Sequence, residues 1–170
     1  FAMDIVVRRK GAGFAADWGA GARPCAVGRG GIAEKQREGD GITPIGAWPL
    51  RNLLYRPDRV APPATGLASV PLAPADGWCE TPGDPGYNRP VRLPHRAAAE
   101  SMWREDALYD VVVVVGYNDD PVVPGKGSAI FLHVARSDYG PTEGCVALSR
   151  ADILEAAAQL GPGDRLIVER

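Results

Sequence analysis

The chain has 170 residues, of which 45% are hydrophobic, and its formal net charge is −2. This length suits one domain, residues 1–170, that buries its own core, and the near-neutral charge gives no reason to expect nucleic acid or an anionic membrane as a partner. The 21 glycines and 16 prolines favour many turns and short strands, and no apolar run approaches the roughly 20 residues needed to span a bilayer.

The first residues bear on where the protein works. Phe1-Ala2 precede Met3 and look foreign to the native chain. If Met3 is the native start, the strand-like run that follows it is not a signal peptide, and we expect a cytoplasmic protein. If a longer precursor was trimmed, a periplasmic location is the alternative.

The first half of the chain predicts short strands separated by long loops. Residues 4–8 and 23–28 are apolar runs bounded by glycine and are interpreted as strands. Residues 28–47 lack the Lys-Ser/Thr pair of a phosphate-binding loop, so we expect a long surface loop that returns to a strand near residues 47–50. Residues 51–96 are rich in proline, which forbids long helices. Their aromatic residues favour an ordered flap beside the site over a disordered insertion.

The second half predicts the strongest regular elements. Residues 97–106 are helix-competent, and residues 108–115 contain five consecutive valines typical of a strand buried on both faces. Another strand is predicted over residues 128–134, a capped helix over 149–160, and a last strand over 164–169. The pattern predicts a mostly β (β-rich α+β) domain of seven or eight short strands with one or two helices.

The cysteines give limited information on their own. The chain has an odd number of cysteines, Cys25, Cys79 and Cys145, so they cannot all form disulfides within the chain. None belongs to a CxxC motif, so we expect no structural zinc, and a reducing compartment is favoured. Cys25 is expected to be a buried core thiol. His95 could serve as a second active-site base, although an exposed loop histidine is the preferred interpretation.

Residues 130–148 carry the clearest chemical signal. His133 ends an apolar run, a polar loop follows, and Gly144-Cys145 opens the next apolar run. We expect a hairpin-like return that brings His133 and Cys145 together, since adjacent strands lie roughly 5 Å apart. An imidazole at this distance takes the thiol proton and leaves a thiolate–imidazolium pair, the requirement for nucleophilic thiol chemistry.

These residues resemble the catalytic signature of the L,D-transpeptidase (YkuD-type) family. That family usually has His-Gly, a variable loop, and then Ser/Thr-His-Gly-Cys, which Gly144-Cys145-Val146 and the upstream His133 match in part. Residues 23–28 and 39–46, with their Val-Gly and Thr-Pro-x-Gly, are similar to its N-terminal block. Residues 78–90, 116–119 and 127–133 also resemble one branch of the family, so the likeness covers nearly the whole chain and implies a YkuD-type β-sandwich with a long loop flap.

The signature departs from the family pattern at three positions. Val134 replaces the usual glycine after the first histidine, Glu143 stands where a second histidine is common, and Ala147 stands where many members have arginine. A carboxylate directed at Cys145 would raise the thiol pKa. We therefore expect Glu143 to point away or to meet a cation.

The resemblance implies a cysteine acyl-transfer enzyme that acts on peptidoglycan stem peptides and needs no metal or organic cofactor. Cys145 would attack the carbonyl between a diamino acid and the terminal D-alanine, and His133 would act as base and then as acid. A backbone carbonyl is expected to orient the His133 ring. The N–H groups of Gly144 and Cys145 would form the oxyanion hole, with Tyr117 as an additional donor.

The substrate contacts are less defined. A terminal carboxylate suits arginine, and the candidates here are Arg89, Arg92, Arg96 and Arg136. The residues expected to bind the tetrapeptide or muropeptide are Tyr117, Asn118, Arg136, Glu143, Asn88 and Arg89.

Three functions remain open at this point. With water as acceptor the enzyme is an L,D-carboxypeptidase of muropeptide recycling, which we favour because no signal peptide, anchor or wall-binding module is evident. With an amine acceptor it is a transpeptidase that forms 3–3 crosslinks. A non-catalytic muropeptide-binding module with an inert Cys145 is the third.

Overall fold

The computed structural model describes residues 3–170, so the expectation about Phe1-Ala2 lies outside the described residues. Within that range there is one helix, α1, at Arg150–Gln159. The strands in chain order are β1 Asp4–Lys10, β2 Gly13–Asp17, β3 Arg23–Cys25, β4 Ile32–Ala33, β5 Thr43–Pro44, β6 Gly46–Tyr55, β7 Ser69–Pro71, β8 Asp76–Cys79, β9 Pro90–Arg92, β10 Ala99–Ser101, β11 Val111–Val115, β12 Phe131–Val134, β13 Val146–Leu148 and β14 Arg165–Val168.

One large sheet forms the body of the molecule. In the described part of the chain, nine strands pair in the order β13-β12-β11-β6-β14-β1-β2-β3, with β7 added beside β6. The long strand β6 connects the two halves, since residues 46–49 pair with β14 and residues 50–55 with β11. Ala26 and Ala147 exchange two hydrogen bonds of 2.9 Å, so the two ends of the sheet meet in a barrel-like closure. The prediction of a mostly β fold is confirmed.

Strand β11 divides the core. All five of its valines are buried, as the sequence predicts for a strand covered on both faces. Because side chains alternate along a strand, the first, third and fifth valines face the larger core with Ile5, Leu53 and Leu166. The second and fourth face a smaller cluster that includes Phe131 and Cys145. The candidate nucleophile is therefore built into the wall of a hydrophobic cluster.

The two predicted helices have different outcomes. Helix α1 begins after Ser149, whose hydroxyl accepts a hydrogen bond from Asp152 N, as predicted. The helix predicted over residues 97–106 is wrong, because Ala99–Ser101 forms β10 against β8. Helix propensity is a weak preference that sheet pairing overrides here, while Met102 still packs in the core.

The proline-rich region is ordered, as predicted. Its strands β8 and β9, together with β10 just after it, form a separate three-stranded sheet, which we call the flap sheet. Residues 28–47 form the predicted long loop, stiffened by the short parallel pair β4–β5. Both segments cover the sheet near β12 and β13. The one helix of residues 3–170 is too short and too polar to traverse a bilayer.

Candidate active site

His133 lies on β12 and Cys145 directly precedes the neighbouring strand β13, but the two strands do not form a hairpin. Strands β12 and β13 run parallel, with His133 opposite Ala147. The predicted hairpin-like return is wrong because the intervening loop crosses back over the sheet, where Thr142 N donates to Val27 O and Arg29 N donates to Thr142 O. Cys145 lies two residues before Ala147, so alternation puts the thiol and the imidazole on the same face.

The two side chains share one cavity of about 340 Å³. Phe131 N lies 3.4 Å from Cys145 Sγ, while His133 is two residues farther along β12. That offset amounts to about 7 Å along the strand direction. Proton transfer through one bridging water is compatible with such an arrangement. Cys145 and His133 therefore share a pocket, as the sequence predicted. They are offset along the strand direction, which the predicted hairpin would not produce.

Cys145 is held in a defined orientation. Its Sγ donates to Ala129 O at 3.1 Å and accepts from Phe131 N at 3.4 Å. The residue is only 7% exposed. Burial raises the pKa of the Cys145 thiol to about 12, because a thiolate loses hydration in the apolar cluster.

His133 is oriented by a backbone carbonyl. Its Nδ1 lies 2.9 Å from Val134 O. A carbonyl oxygen only accepts, so Nδ1 carries the proton and Nε2 is the basic nitrogen. The Tyr109 ring packs edge-on, with centroids 5.4 Å apart. Burial lowers the pKa of His133 to about 4.

The resting pair is therefore a neutral thiol and a neutral imidazole. This overturns the expected thiolate–imidazolium pair: desolvation in this cavity disfavours both charged forms. A neutral pair still performs general-base catalysis, since the thiol loses its proton as it attacks.

Gly144 is required by the backbone conformation. Its φ is +140°, and a Cβ would lie 3.0 Å from Ile42 O and 3.2 Å from the Ile130 side chain. Its N–H donates to Thr142 Oγ1 at 3.1 Å, and that hydroxyl donates to Cys145 O at 2.6 Å. Of the two predicted oxyanion donors, the Gly144 N–H is thus engaged in the turn that presents Cys145.

Glu143 is directed outward. Its side chain is 78% exposed and its carboxylate lies 3.0 Å from Arg29 Nε. The carboxylate borders the rim of the cavity without contacting the thiol. The expectation that it points away or meets a cation matches this geometry.

Four other residues predicted to bind substrate do not line the cavity. The Tyr117 hydroxyl donates to Lys126 O, and the Asn118 amide donates to Val123 O and Gly127 O. Arg89 donates to Asp119 O. Together with Asn88, these residues hold the loops behind the cavity wall. Arg136, in contrast, does line the cavity.

Asn88 has a positioning role that the sequence did not suggest. This buried side chain accepts from Trp78 Nε1 and Ala129 N, both at 3.0 Å, and donates to Tyr117 O and Asn118 O. Ala129 has φ +56°, an uncommon conformation for a residue with a Cβ. Asn88 fixes that conformation, which directs Ala129 O at Cys145 Sγ.

The cavity walls carry charges that sequence reasoning missed. They come from loops distant in sequence: Lys35, Glu38, Glu80, Glu100 and Arg104. The helical interpretation of residues 97–106 concealed two of them. The Tyr109 hydroxyl donates to both oxygens of Glu100 at 3.1 and 3.2 Å, and burial raises the pKa of Glu100 to about 7.

One cluster in the flap has metal-ligand chemistry. Within residues 3–170, Cys79, Asp84 and His95 place three ligand atoms within 4.8 Å of one another. Asp84 Oδ2 already accepts from Gly86 N and lies 3.0 Å from His95 Nε2, and the carboxylate pairs with Arg96 at 2.8 Å. The cluster is satisfied as a hydrogen-bonded brace of the flap. His95 is thereby held in that brace, and it is not the exposed loop histidine expected from the sequence.

The fold and the site together define the class of protein: a β-rich domain in which a buried cysteine and a carbonyl-anchored histidine share a charged cavity. The model of the L,D-transpeptidase catalytic domain family, YkuD, matches residues 5–168, and the chain belongs to that family. It is a cysteine-dependent enzyme of the L,D-transpeptidase type, whose substrates are peptidoglycan stem peptides. No curated protein matches the chain.

Proposed function

We propose that the protein is an L,D-carboxypeptidase that removes the terminal D-alanine from tetrapeptide muropeptides. The observation that carries this proposal is that Cys145, His133 and Arg136 all line one cavity. Soluble muropeptides are the proposed substrates, and a role in their recycling would place the enzyme in the cytoplasm.

The chemistry follows from the neutral pair. His133 Nε2 takes the thiol proton through one bridging water as Cys145 Sγ attacks the carbonyl between the diamino acid and D-alanine. The C–N bond then breaks, the proton passes to the leaving amine, and a thioester remains. Water, activated by the same imidazole, hydrolyses the thioester and regenerates the thiol. The Nδ1 contact with Val134 O keeps the ring in the required tautomer throughout.

Arg136 is the best placed of the four candidate arginines for the terminal carboxylate. It lines the cavity and has no ion-pair partner among residues 3–170. Arg92 pairs with Asp76, Arg96 pairs with Asp84, and Arg89 contacts Asp119 O. A free guanidinium in the cavity that holds the nucleophile would favour a substrate with a terminal carboxylate close to the scissile bond.

The size of the cavity favours water as the acceptor. Its volume of about 340 Å³ lies near the lower end of the range for small-molecule sites, about 300–1,000 Å³. A cavity of this volume suits the end of one stem peptide, the donor. This supports hydrolysis over crosslinking.

A transpeptidase that forms 3–3 crosslinks is the second candidate. Glu38, Glu80 and Glu100 line the same cavity, and carboxylates are suitable partners for an acceptor amine. The same carboxylates could instead bind the free amino group of the donor's diamino acid. They therefore do not distinguish crosslinking from hydrolysis.

The test is incubation with a purified tetrapeptide muropeptide, followed by mass measurement. We expect tripeptide and free D-alanine without dimer. Cys145→Ser should abolish release, and Cys25→Ala, which removes a buried thiol outside the cavity, should retain it. A crosslinked dimer would establish the transpeptidase instead. An unchanged substrate together with slow, equal alkylation of all three cysteines would favour the binding module.

A further inference from the structure

Lys35 is a buried cation that the mechanism above does not use. Its side chain is 3% exposed, and its Nζ donates to Asp40 Oδ1 at 2.6 Å and to Ile42 O at 3.1 Å. It belongs to the loop of residues 28–47, far from the catalytic segment in sequence. Nevertheless it lines the cavity that holds Cys145.

The ammonium lies close to the backbone that presents the nucleophile. A Cβ built on Gly144 would be 3.6 Å from Lys35 Nζ and 3.0 Å from Ile42 O, the carbonyl that Lys35 binds. Burial raises the pKa of the Cys145 thiol most, and the charge of Glu100 adds to that rise, whereas the Phe131 N–H and the charge of Lys35 lower it.

The hydrogen bonding of Lys35 leaves one donor available. An ammonium group has three N–H donors, and two have acceptors within residues 3–170. Asp40 fixes the ammonium in place. Hydrogen bonds from Gln36 N, Arg37 N and Ile42 N stabilise the negative charge of the Asp40 carboxylate. The negative partner is thus stabilised on the loop, while the ammonium borders the cavity.

We propose that Lys35 stabilises the negative charge that develops on Cys145 and on the attacked carbonyl oxygen. As the S–C bond forms, the carbonyl π pair moves to oxygen and the thiol proton goes to His133. Lys35 takes no part in the proton transfer. A fixed charge in a site shielded from water is worth more than the same charge in solvent. The inference rests on the proposed function, because it takes Cys145 as the nucleophile.

This role differs from that of a structural ion pair. If Lys35 only braces the loop, replacing both partners with neutral residues should restore function, since no buried charge is left unpaired. If Lys35 acts on the developing charge, the double replacement restores the fold but not the chemistry. Lys35→Met and Lys35→Met/Asp40→Asn separate the two roles.

The test compares alkylation of Cys145 by iodoacetate, which is anionic, and by iodoacetamide, which is neutral. The ratio of the two rates reports positive charge at the thiol and cancels differences in thiol exposure. We expect the ratio to fall about tenfold in Lys35→Met, which leaves Asp40 charged, and by a smaller but measurable factor in Lys35→Met/Asp40→Asn. Lys10→Met, the same substitution on an exposed strand end, should leave the ratio of the two alkylation rates unchanged. Lys35→Arg should keep the ratio close to the wild-type value.

Steady-state kinetics supply the second measurement. We expect the double variant to unfold at the wild-type temperature and to lose about 10²-fold in kcat, with KM changed less than threefold. An unchanged alkylation ratio in a folded double variant that keeps its kcat would overturn the inference. Absence of D-alanine release by the wild type, with the ratio still dependent on Lys35, would contradict the proposed reaction and leave the charge assignment standing.

Discussion

The floor and the walls of the cavity differ in how they are built. The floor consists of His133, on β12, and Cys145, directly before β13, and both residues are buried and neutral. The walls are loops and the flap sheet, and they supply charged groups such as Lys35, Glu100 and Arg136. The reactive atoms are thus held by the main sheet. The charged groups that bind substrate come mostly from segments that are distant in sequence from His133 and Cys145.

This difference predicts that floor substitutions affect the chemical step and that wall substitutions affect binding, with the exception of Lys35, which lies against the backbone that presents Cys145. Asn88 connects the two, because it joins the flap sheet to the carbonyl that contacts the Cys145 sulfur. The substitutions below test that division, beginning with the largest expected effect.

Replacing His133 tests the floor. His133→Gln should lower kcat about 10²–10⁴-fold, since the general base is lost, with little change in KM for the tetrapeptide. Because burial lowers the pKa of His133 to about 4, wild-type activity should persist down to about pH 5. A rise in activity with an apparent pKa near 6.5 would contradict the neutral resting pair.

The same histidine should govern acid stability. The unfolded chain binds the imidazole proton below about pH 6.5, whereas the folded pKa is about 4. The free energy of unfolding should therefore be highest above pH 6.5 and decline by roughly 3 kcal/mol as the pH falls to about 4. Urea titrations of wild type and His133→Gln check this, and the variant should lack that part of the decline.

Replacing Asn88 tests the connection between wall and floor. Asn88→Ala removes four hydrogen bonds and leaves buried groups unpaired, so we expect a loss of about 2–4 kcal/mol in unfolding free energy. Cys145 alkylation should change more than Cys25 alkylation, because the Ala129 carbonyl is released. Asn52→Ala, on β6, is the matched control. Equal stability of the two variants would show that Asn88 has no special role.

Replacing Arg136 tests the wall. Arg136→Gln should raise KM for the tetrapeptide about 10–100-fold with kcat changed much less, since a charged hydrogen bond contributes about 1.5–3 kcal/mol. Arg92→Gln removes an exposed arginine paired with Asp76 outside the cavity and should leave KM unchanged. A substrate with an amidated C-terminus should abolish the difference between wild type and Arg136→Gln.

Replacing Glu143 should have the smallest effect. Its ion pair with Arg29 is exposed, and such pairs contribute about 0–1 kcal/mol. We expect Glu143→Gln to keep activity within about twofold and unfolding free energy within 0.5–1 kcal/mol, roughly the limit for a surface change. A large loss of kcat would instead assign Glu143 the role of the histidine usual at that position.

Local sequence alone predicted much of this molecule. Five valines in succession indicated a strand covered on both faces, Ser149 indicated the start of α1, and the proline-rich region indicated an ordered flap without long helices. The motif around Gly144-Cys145 indicated the family that the match over residues 5–168 establishes. These features depend on a few neighbouring residues, whose preferences and spacing survive in the folded state.

Tertiary structure decided the rest. The parallel pairing of β12 and β13 depends on a loop that crosses to Val27 and Arg29. The sheet pairing of residues 99–101 overrode their helical propensity. The neutral charge state of His133 and Cys145 depends on burial, and the cavity charges come from loops brought together only by folding. Desolvation and long-range pairing arise from the packed structure, so residue order does not display them.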